Sequence, residues 1–171
     1  MRITLLKAPK YPDTTCDIGH HHFTYSLYLH EGDWRTGRVD EEGWKFNVPF
    51  LVYPIAPESE AVSEKTWLTL ESAGGVFLSA LKPAEDGSDD LILRLYENHG
   101  ARTPVKVIFP HTSILSASEC DLMERELHSL NVVDTSICLA FTPFEIKTIR
   151  MKRLQGVQFH ATGFPFRGDS Y

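Results

Sequence analysis

The chain has 171 residues, of which 42% are hydrophobic and 23% charged, with a formal net charge of −6. This length suits one domain with its own core, and the negative charge argues against a nucleic-acid partner, which needs a basic face. The three cysteines show no CxxC spacing, and no run of about 18 apolar residues could span a bilayer. We therefore predict a reduced, soluble, cytoplasmic protein without a membrane partner.

The first third of the chain predicts two strands and a short helix. An apolar run at 2–8 indicates a strand that ends at Pro9. Residues 22–30 alternate between apolar and polar side chains, which is typical of a second strand. Acidic residues crowd the segment 39–49, where Asp40 is the predicted helix cap and Pro49 the end. Extended chain at 50–56 and an exposed loop at 56–65 complete this part.

The remainder predicts strands at hairpin intervals, with turns at Gly74–Gly75 and Asp86–Gly87. In the last predicted strand, the apolar residues do not all fall on alternate positions, which predicts a bulge or burial on both faces of the strand. The predicted strands are 66–72, 75–83, 91–100, 105–110, 112–122, 129–134, 135–143 and 144–154. We predict an all-β antiparallel sandwich over 2–154, either simple or of the galactose mutarotase-like super-sandwich type, and a tail of unknown structure at 155–171.

The stretch 16–34 carries the most concentrated polar chemistry. Three consecutive histidines, His20 to His22, lie between Asp17 and His30 and suggest a zinc site. However, neighbouring residues of a strand point to opposite faces, and no HExxH or CxxC spacing supports the site. Hydrogen-bonded or exposed histidines are therefore the favoured interpretation, and we predict no metal bound by this chain.

Other catalytic patterns are weak. The adjacent acid pairs at 41–42, 85–86 and 89–90 are typical of turns or solvated surface, and no GxSxG elbow or phosphate-binding glycine loop is present. Five aromatic residues could form a sugar-stacking face, although aromatics in an all-β protein more often belong to the core. They are Tyr25, Tyr28, Trp34, Trp44 and Tyr96.

Seven stretches, in order, make the chain recognisable. They are RITLLKAPKYPD at 2–13, DIGHHHFTYSLYLHEGDW at 17–34, NVP at 47–49, LKPAEDG at 81–87, LILRLYENHG at 91–100, SECDLMER at 118–125 and FTPFEIKTIRMK at 141–152. Together they resemble the C-terminal β-domain of glycoside hydrolase family 38, the α-mannosidases, in particular the cytosolic type. Leu29 departs from the pattern, since the family usually has proline there.

The resemblance implies a zinc-dependent enzyme that hydrolyses terminal α-mannosides, with its zinc and its aspartate nucleophile in an upstream domain that these residues do not include. No catalytic residue is therefore assigned to this chain, which we expect to be an accessory domain that is inactive alone. Its expected partners are the catalytic region of the same enzyme and mannose-containing oligosaccharide, and the isolated domain is expected to self-associate. Alternatives are a free-standing carbohydrate-binding module and a purely structural assembly domain. The substrate-cleft candidates are Asp17, His21, Tyr25, His30, Tyr96 and Glu97.

Overall fold

A computed structural model describes residues 2–48, 50, 52 and 66–153. The chain divides into two compact units, Met1–Leu51 and Val52–Tyr171, which are described separately. The predictions for most of 50–65 and for the tail at 155–171 lie outside the described residues.

The first unit contains one helix, α1, over Val39–Asn47, which confirms the predicted short helix. Acidic residues in its first turn stabilise the helix, because they interact favourably with the positive end of the helix dipole. Asp40 was wrongly predicted as the cap: the capping position is Arg38, in the left-handed region, and Asp40 lies inside the first turn. Arg38 instead contacts this turn through a hydrogen bond from its Nε to Glu41 Oε1 of 2.7 Å.

The strands predicted at 2–8 and 22–30 do not form, since no described residue from 2 to 48 belongs to a strand. The sequence pattern supplies alternating side chains, but a strand also needs a neighbour that satisfies its backbone N–H and C=O groups. The described part of this unit offers no such neighbour.

The second unit is an antiparallel β-sandwich, which confirms the predicted fold class. One sheet has the strand order β1-β4-β8-β7, and the other has the order β2-β3-β9-β5-β6. The strands are β1 Thr69–Ser72, β2 Val76–Pro83, β3 Leu91–Glu97, β4 Thr103–Ile108, β5 Ile114–Cys120, β6 Glu126–Leu130, β7 Val132–Val133, β8 Ser136–Phe141 and β9 Ile146–Arg153. Whether the sandwich is part of a super-sandwich stays a prediction.

The core lies between the two sheets and follows the alternation of the strands. On β4 every second residue is buried, and Val105 and Val107 face Leu139 and Ile137 on β8 in register. The five-stranded sheet adds its own inward face, where Leu93 pairs with Ile149. Both sheets and Phe109 contribute to the core: Val76, Leu93, Leu95, Val105, Val107, Phe109, Ile114, Ala117, Ile137, Leu139, Phe141, Ile149 and Met151.

The sheets settle three details of the strand predictions. The predicted strand 129–134 is two strands, β6 and β7, that belong to different sheets, so the chain crosses the sandwich at Asn131. On β9, Thr148 and Ile149 are both fully buried, which confirms burial on both sides of this strand. The chain also bends at Gly74, as predicted, but β1 and β2 belong to different sheets, so Gly74–Gly75 connects the two sheets and does not close a hairpin. Both glycines have a positive φ that other residues rarely adopt.

No helix of the described residues has the length and apolar character needed to cross a membrane.

Candidate functional site

A tight loop holds the first two candidates, Asp17 and His21. Asp13 opens the loop by accepting hydrogen bonds at Oδ1 from the N–H and the hydroxyl of Thr15, at 2.8 and 2.9 Å, which lower the pKa of Asp13. Asp17 has a φ of 57°, and its carbonyl oxygen lies 2.9 Å from Nε2 of His21. A carbonyl can only accept, so this contact places the proton of His21 on Nε2.

The carboxylate of Asp17 has a different partner. The thiol of Cys16 donates to Asp17 Oδ2 at 3.3 Å, and this hydrogen bond is the main reason that the pKa of Cys16 is raised. Both Asp17 and His21 are exposed. The structure therefore brings these two candidates together, with the imidazole bound to the backbone of Asp17 and the carboxylate turned to the thiol.

The chain after this loop is extended. The rings of His21 and Phe23 stack with centroids 6.0 Å apart, and those of Tyr28 and His30 stack at 5.8 Å. Stacking between residues i and i+2 is the contact that an extended backbone allows, because alternate side chains share a side. Tyr25 is exposed between the two stacks.

His30, the last candidate of this unit, is held by the turn that follows. Its Nδ1 donates to the carbonyl of Glu31 at 3.2 Å, and its ring lies so close to Gly37 that a Cβ there would come within 2.3 Å of Nδ1. In the same turn, Asp33 Oδ1 accepts from the N–H groups of Arg35 and Thr36 at 3.0 and 2.8 Å. His30 is thus a neighbour of this turn, and no described contact joins it to the loop of Asp17.

The aromatic residues proposed for sugar stacking are mostly outside any core. Four of them lie in the first unit and are exposed, and the guanidinium carbon of Arg35 lies 4.4 Å from the ring centroid of Trp34. The core interpretation is therefore wrong for these four residues: Tyr25, Tyr28, Trp34 and Trp44. Their exposure leaves a sugar-stacking role as a prediction.

Glu97, in the sandwich, is buried among backbone N–H groups of the neighbouring loops. It is 2% exposed, and its carboxylate accepts four backbone hydrogen bonds. Oε1 accepts from His99 and Ala101 at 2.9 and 3.2 Å, and Oε2 accepts from Gly100 and Phe144 at 3.0 and 2.8 Å. Burial raises the pKa of Glu97, but the four N–H donors together outweigh it and lower the pKa. The carboxylate ties the end of β3 to the loop between β8 and β9.

Tyr96 and Glu97 are consecutive on β3, so their side chains point to opposite faces of the sheet. Tyr96 lies on the outer face, half-buried, and stacks on Phe77 of β2 with ring centroids 5.7 Å apart. Its register partner on β9 is Ile146, so an apolar row crosses three strands here. The substrate-cleft role of both residues stays a prediction, and they do not share one surface.

Sequence reasoning missed a set of ion pairs that hold the loops of the sandwich. Arg150 donates to Asp90 and Asp86, each at 2.6 Å, and this lowers the pKa of Asp86. Asp90 was interpreted as solvated surface, but its side chain is largely buried against Arg150. The partners are 60 and 64 residues apart, so no local pattern marks them.

A second buried cation lies at the core edge. Lys147 is 11% exposed and lies between Glu119 and Glu145, with Nζ–Oε1 distances of 2.9 and 3.1 Å. Burial lowers the pKa of Lys147, but the two carboxylates outweigh it and the pKa is raised. An isolated lysine in an apolar strand, as in FEIKTI at 144–149, is the one sequence signal that could have predicted such a pair.

The residues described here do not fit the zinc site that the resemblance implies for the whole enzyme. Among residues 2–48, 50, 52 and 66–153, no three His, Cys, Asp or Glu side chains converge to hold a metal ion. The Nε2 of His21 is directed at a backbone carbonyl, and Glu97 is saturated by N–H donors. Neither is arranged as a ligand, so no chemical step is assigned to zinc in this chain.

Comparison with known proteins places the sandwich in a family. Residues 75–149 match the model of the glycosyl hydrolases family 38 C-terminal beta sandwich domain. The chain is 35% identical over 159 residues to Alpha-mannosidase 2C1 of Mus musculus, and 34% identical over 155 residues to Alpha-mannosidase 2C1 of Homo sapiens. It is 32% identical over 155 residues to Alpha-mannosidase G of Dictyostelium discoideum.

These matches cover 86–87% of this chain but only 14% of each relative. The chain thus spans about one seventh of the length of the relatives that it matches. Both the fold and the matched residues lead to the same assignment: this chain carries the C-terminal β-sandwich domain of the family 38 glycosyl hydrolases, the family of the α-mannosidases.

Proposed function

We propose that this chain is the accessory C-terminal part of a zinc-dependent, cytoplasmic α-mannosidase and that it has no hydrolytic activity alone. One observation carries the proposal: the match covers nearly all of this chain and only 14% of each α-mannosidase relative. The remaining length of such enzymes is large enough to contain a separate catalytic region. That region would hold the zinc and the nucleophile, and this chain would pack against it.

The chemistry of the sandwich supports this division. Hydrolysis of a glycoside usually needs two carboxyl groups that flank the scissile bond and are free to reach it. In the sandwich, the best buried carboxylates serve its architecture instead. Glu97 accepts four backbone hydrogen bonds, Glu124 binds Lys82, and Asp90 binds Arg150.

A complementation assay tests the proposal. The chain would be assayed on an aryl α-mannoside with zinc supplied, first alone and then mixed with the Mus musculus relative truncated before its matching region. We expect no rate above the blank for the chain alone and an increased rate for the mixture. An unrelated β-sandwich protein of similar size is the matched control for the mixture.

Each half of the proposal has its own contrary result. Turnover by the chain alone, proportional to its concentration, would contradict the absence of hydrolytic activity. A mixture no faster than the truncated relative with the control protein would contradict the accessory role.

A carbohydrate-binding role is the second candidate, and one observation favours it. Four aromatic residues of the first unit, Tyr25, Tyr28, Trp34 and Trp44, are exposed, and exposed aromatic rings offer apolar surface on which a sugar ring can stack. Titration with mannose or mannobiose, followed by tryptophan fluorescence, tests this role. A response that Trp34→Ala abolishes and Trp67→Phe retains would support it, and no change at millimolar sugar would contradict it.

A further inference from the structure

The most unusual feature of the first unit is the extended segment 22–30. Over nine residues its side chains alternate, with Phe23, Tyr25, Leu27 and Leu29 on one side of the pattern and polar or amphipathic residues on the other. It contains no proline or glycine and is rich in aromatic residues, which favour strands. The segment nevertheless belongs to no strand of the described structure.

The four residues of the apolar side are all exposed, from 46% for Phe23 to 84% for Leu29. In an extended segment, apolar side chains at every second residue lie on the same side, so they can pack together against a layer that covers one face of a sheet. Within the described part of the chain, the segment also takes part in no backbone-to-backbone hydrogen bond. Both its apolar side and its backbone are therefore available to a neighbour.

The contacts at the two ends of the segment and its ring stacks indicate an extended backbone. Before it, the bond between His21 Nε2 and the carbonyl of Asp17 closes a loop, and after it Asp33 fixes a turn. The stacks of His21 on Phe23 and of Tyr28 on His30 show the two-residue repeat of an extended backbone. A segment that is already extended loses less conformational entropy when it pairs with a sheet.

We propose that residues 22–30 add as a β-strand to a sheet in the upstream region of an α-mannosidase chain, with Phe23, Tyr25, Leu27 and Leu29 buried on the covered face. The proposal rests on the proposed function, because that function supplies the upstream region. Strand addition to an open sheet edge gives the backbone groups hydrogen-bond partners and buries alternate side chains. In the described structure this segment has neither backbone partners nor a buried apolar side.

One observation and one physical argument favour the upstream region over a second copy of this chain. The alignment with the Mus musculus relative covers 87% of this chain, so it includes most of residues 22–30 whichever end it leaves out. In that relative the segment belongs to a polypeptide whose other 86% lies outside the match. Two copies of the segment that pair with each other would form only a two-stranded ribbon, which is marginally stable in water, whereas addition to an existing sheet is not limited in this way. Pairing with an end strand of a second copy's sandwich is the competing arrangement, and the homodimer result below tests it.

The alternation of apolar and polar side chains along residues 22–30 allows a direct test. The full chain would be mixed with the Mus musculus relative truncated before its matching region, and the dissociation constant would be measured together with hydrogen exchange of residues 22–30. We expect Leu27→Lys to weaken association by at least about tenfold, since it removes a buried apolar side chain and buries a charge. The matched variant Ser26→Lys, one residue away on the other side, should change it by less than about threefold. Exchange at 22–30 should slow in the mixture with the unchanged chain and with Ser26→Lys.

The possible results separate this inference from the proposed function. If the unchanged chain associates and raises activity while 22–30 exchanges as fast as before, or if both lysine variants bind equally well, the strand inference is overturned and the accessory role stands. If the chain does not associate, both are overturned. If 22–30 is protected only in a homodimer of the chain, the segment pairs with a second copy of the chain and the inference is overturned. Protection of the sandwich amides in every variant checks that each one is folded.

Discussion

The carboxylate of Glu97 offers the most direct test of what holds the sandwich together. The substitution Glu97→Gln keeps the size and shape of the side chain but replaces one of its two oxygens with an NH2 group. That group would face two N–H donors, either those of His99 and Ala101 or those of Gly100 and Phe144. Either choice leaves two backbone N–H groups without an acceptor at a site that is almost fully buried.

The expected cost follows from these contacts. A buried donor left without a partner costs about 1–3 kcal/mol, and hydrogen bonds to a charged acceptor are the stronger kind. Two such losses predict that Glu97→Gln lowers the free energy of unfolding by about 3–5 kcal/mol. Single domains are stable by about 5–15 kcal/mol, so the variant would lose a large part of its stability.

Urea unfolding followed by circular dichroism at pH 7 measures this difference in the full chain. Glu85→Gln is the matched control, because the Glu85 side chain is exposed and its ion pair with Lys82 is of the surface kind that contributes little. A Glu97→Gln variant within 1 kcal/mol of the unchanged chain would refute the assignment of Glu97 as the acceptor that joins these loops.

The same variant makes a prediction about pH. The pKa of Glu97 is lowered in the folded chain from its ordinary value of 4.5, so its stabilising contribution is complete above that value. It is lost as the pH falls through the lower folded pKa. The difference in stability between the unchanged chain and Glu97→Gln should therefore narrow below about pH 4.5, in unfolding curves measured at several pH values.

Two further substitutions, Gly75→Ala and Lys147→Met, test the bend before β2 and the ion pairs of Lys147, and Gly43→Ala serves as a comparison. Gly75→Ala should destabilise the chain by about 2–4 kcal/mol, since φ is +76° and a Cβ would lie 2.6 Å from Cγ of His99. Gly43→Ala should instead stabilise the chain by about 0.5–1 kcal/mol, because a Cβ at this position of α1 would meet no atom within 4 Å. Thermal unfolding of both variants measures the difference, and equal effects would contradict this prediction. Lys147→Met should cost about 2 kcal/mol at pH 7, because it leaves two nearby carboxylates without their shared cation. Burial raises the pKa of Glu145, but hydrogen bonds from Thr142 and Lys147 lower it overall. The part of this cost that comes from Glu145 should therefore shrink as the pH falls below about 4.5, and a cost independent of pH would contradict this prediction.

The sandwich strands were predictable because their signals are local. On β4 the alternation of buried and exposed residues follows the sequence TPVKVI directly, and the glycines at 74–75 mark the turn before β2. Such patterns need only a few neighbouring residues, and the strands they predict find partners within the same unit. The missed boundary between β6 and β7 is different, because the chain changes sheets at Asn131 without a glycine or proline to mark it.

The environments of the charged side chains were not predictable, because their partners are distant along the chain. Phe144, which donates to Glu97, is 47 residues away, and Asp90 is 60 residues from Arg150. A sequence that shows an acid next to aromatic residues cannot tell whether four N–H donors will converge on it after folding. For this reason Glu97 was a substrate-cleft candidate on its sequence neighbours, while its contacts are those of a structural acceptor.

The segment 22–30 separates two properties that are usually observed together. Alternation of apolar side chains is a property of one segment, whereas a strand is a property of at least two segments that exchange hydrogen bonds. In β4 the same kind of pattern forms a strand because β1 and β8 lie on either side of it. In 22–30 the pattern is as regular, yet the apolar residues are exposed and the described chain supplies no neighbour. A strand prediction that fails in this way is informative, because it identifies the segment that we propose to add to a sheet of the upstream region.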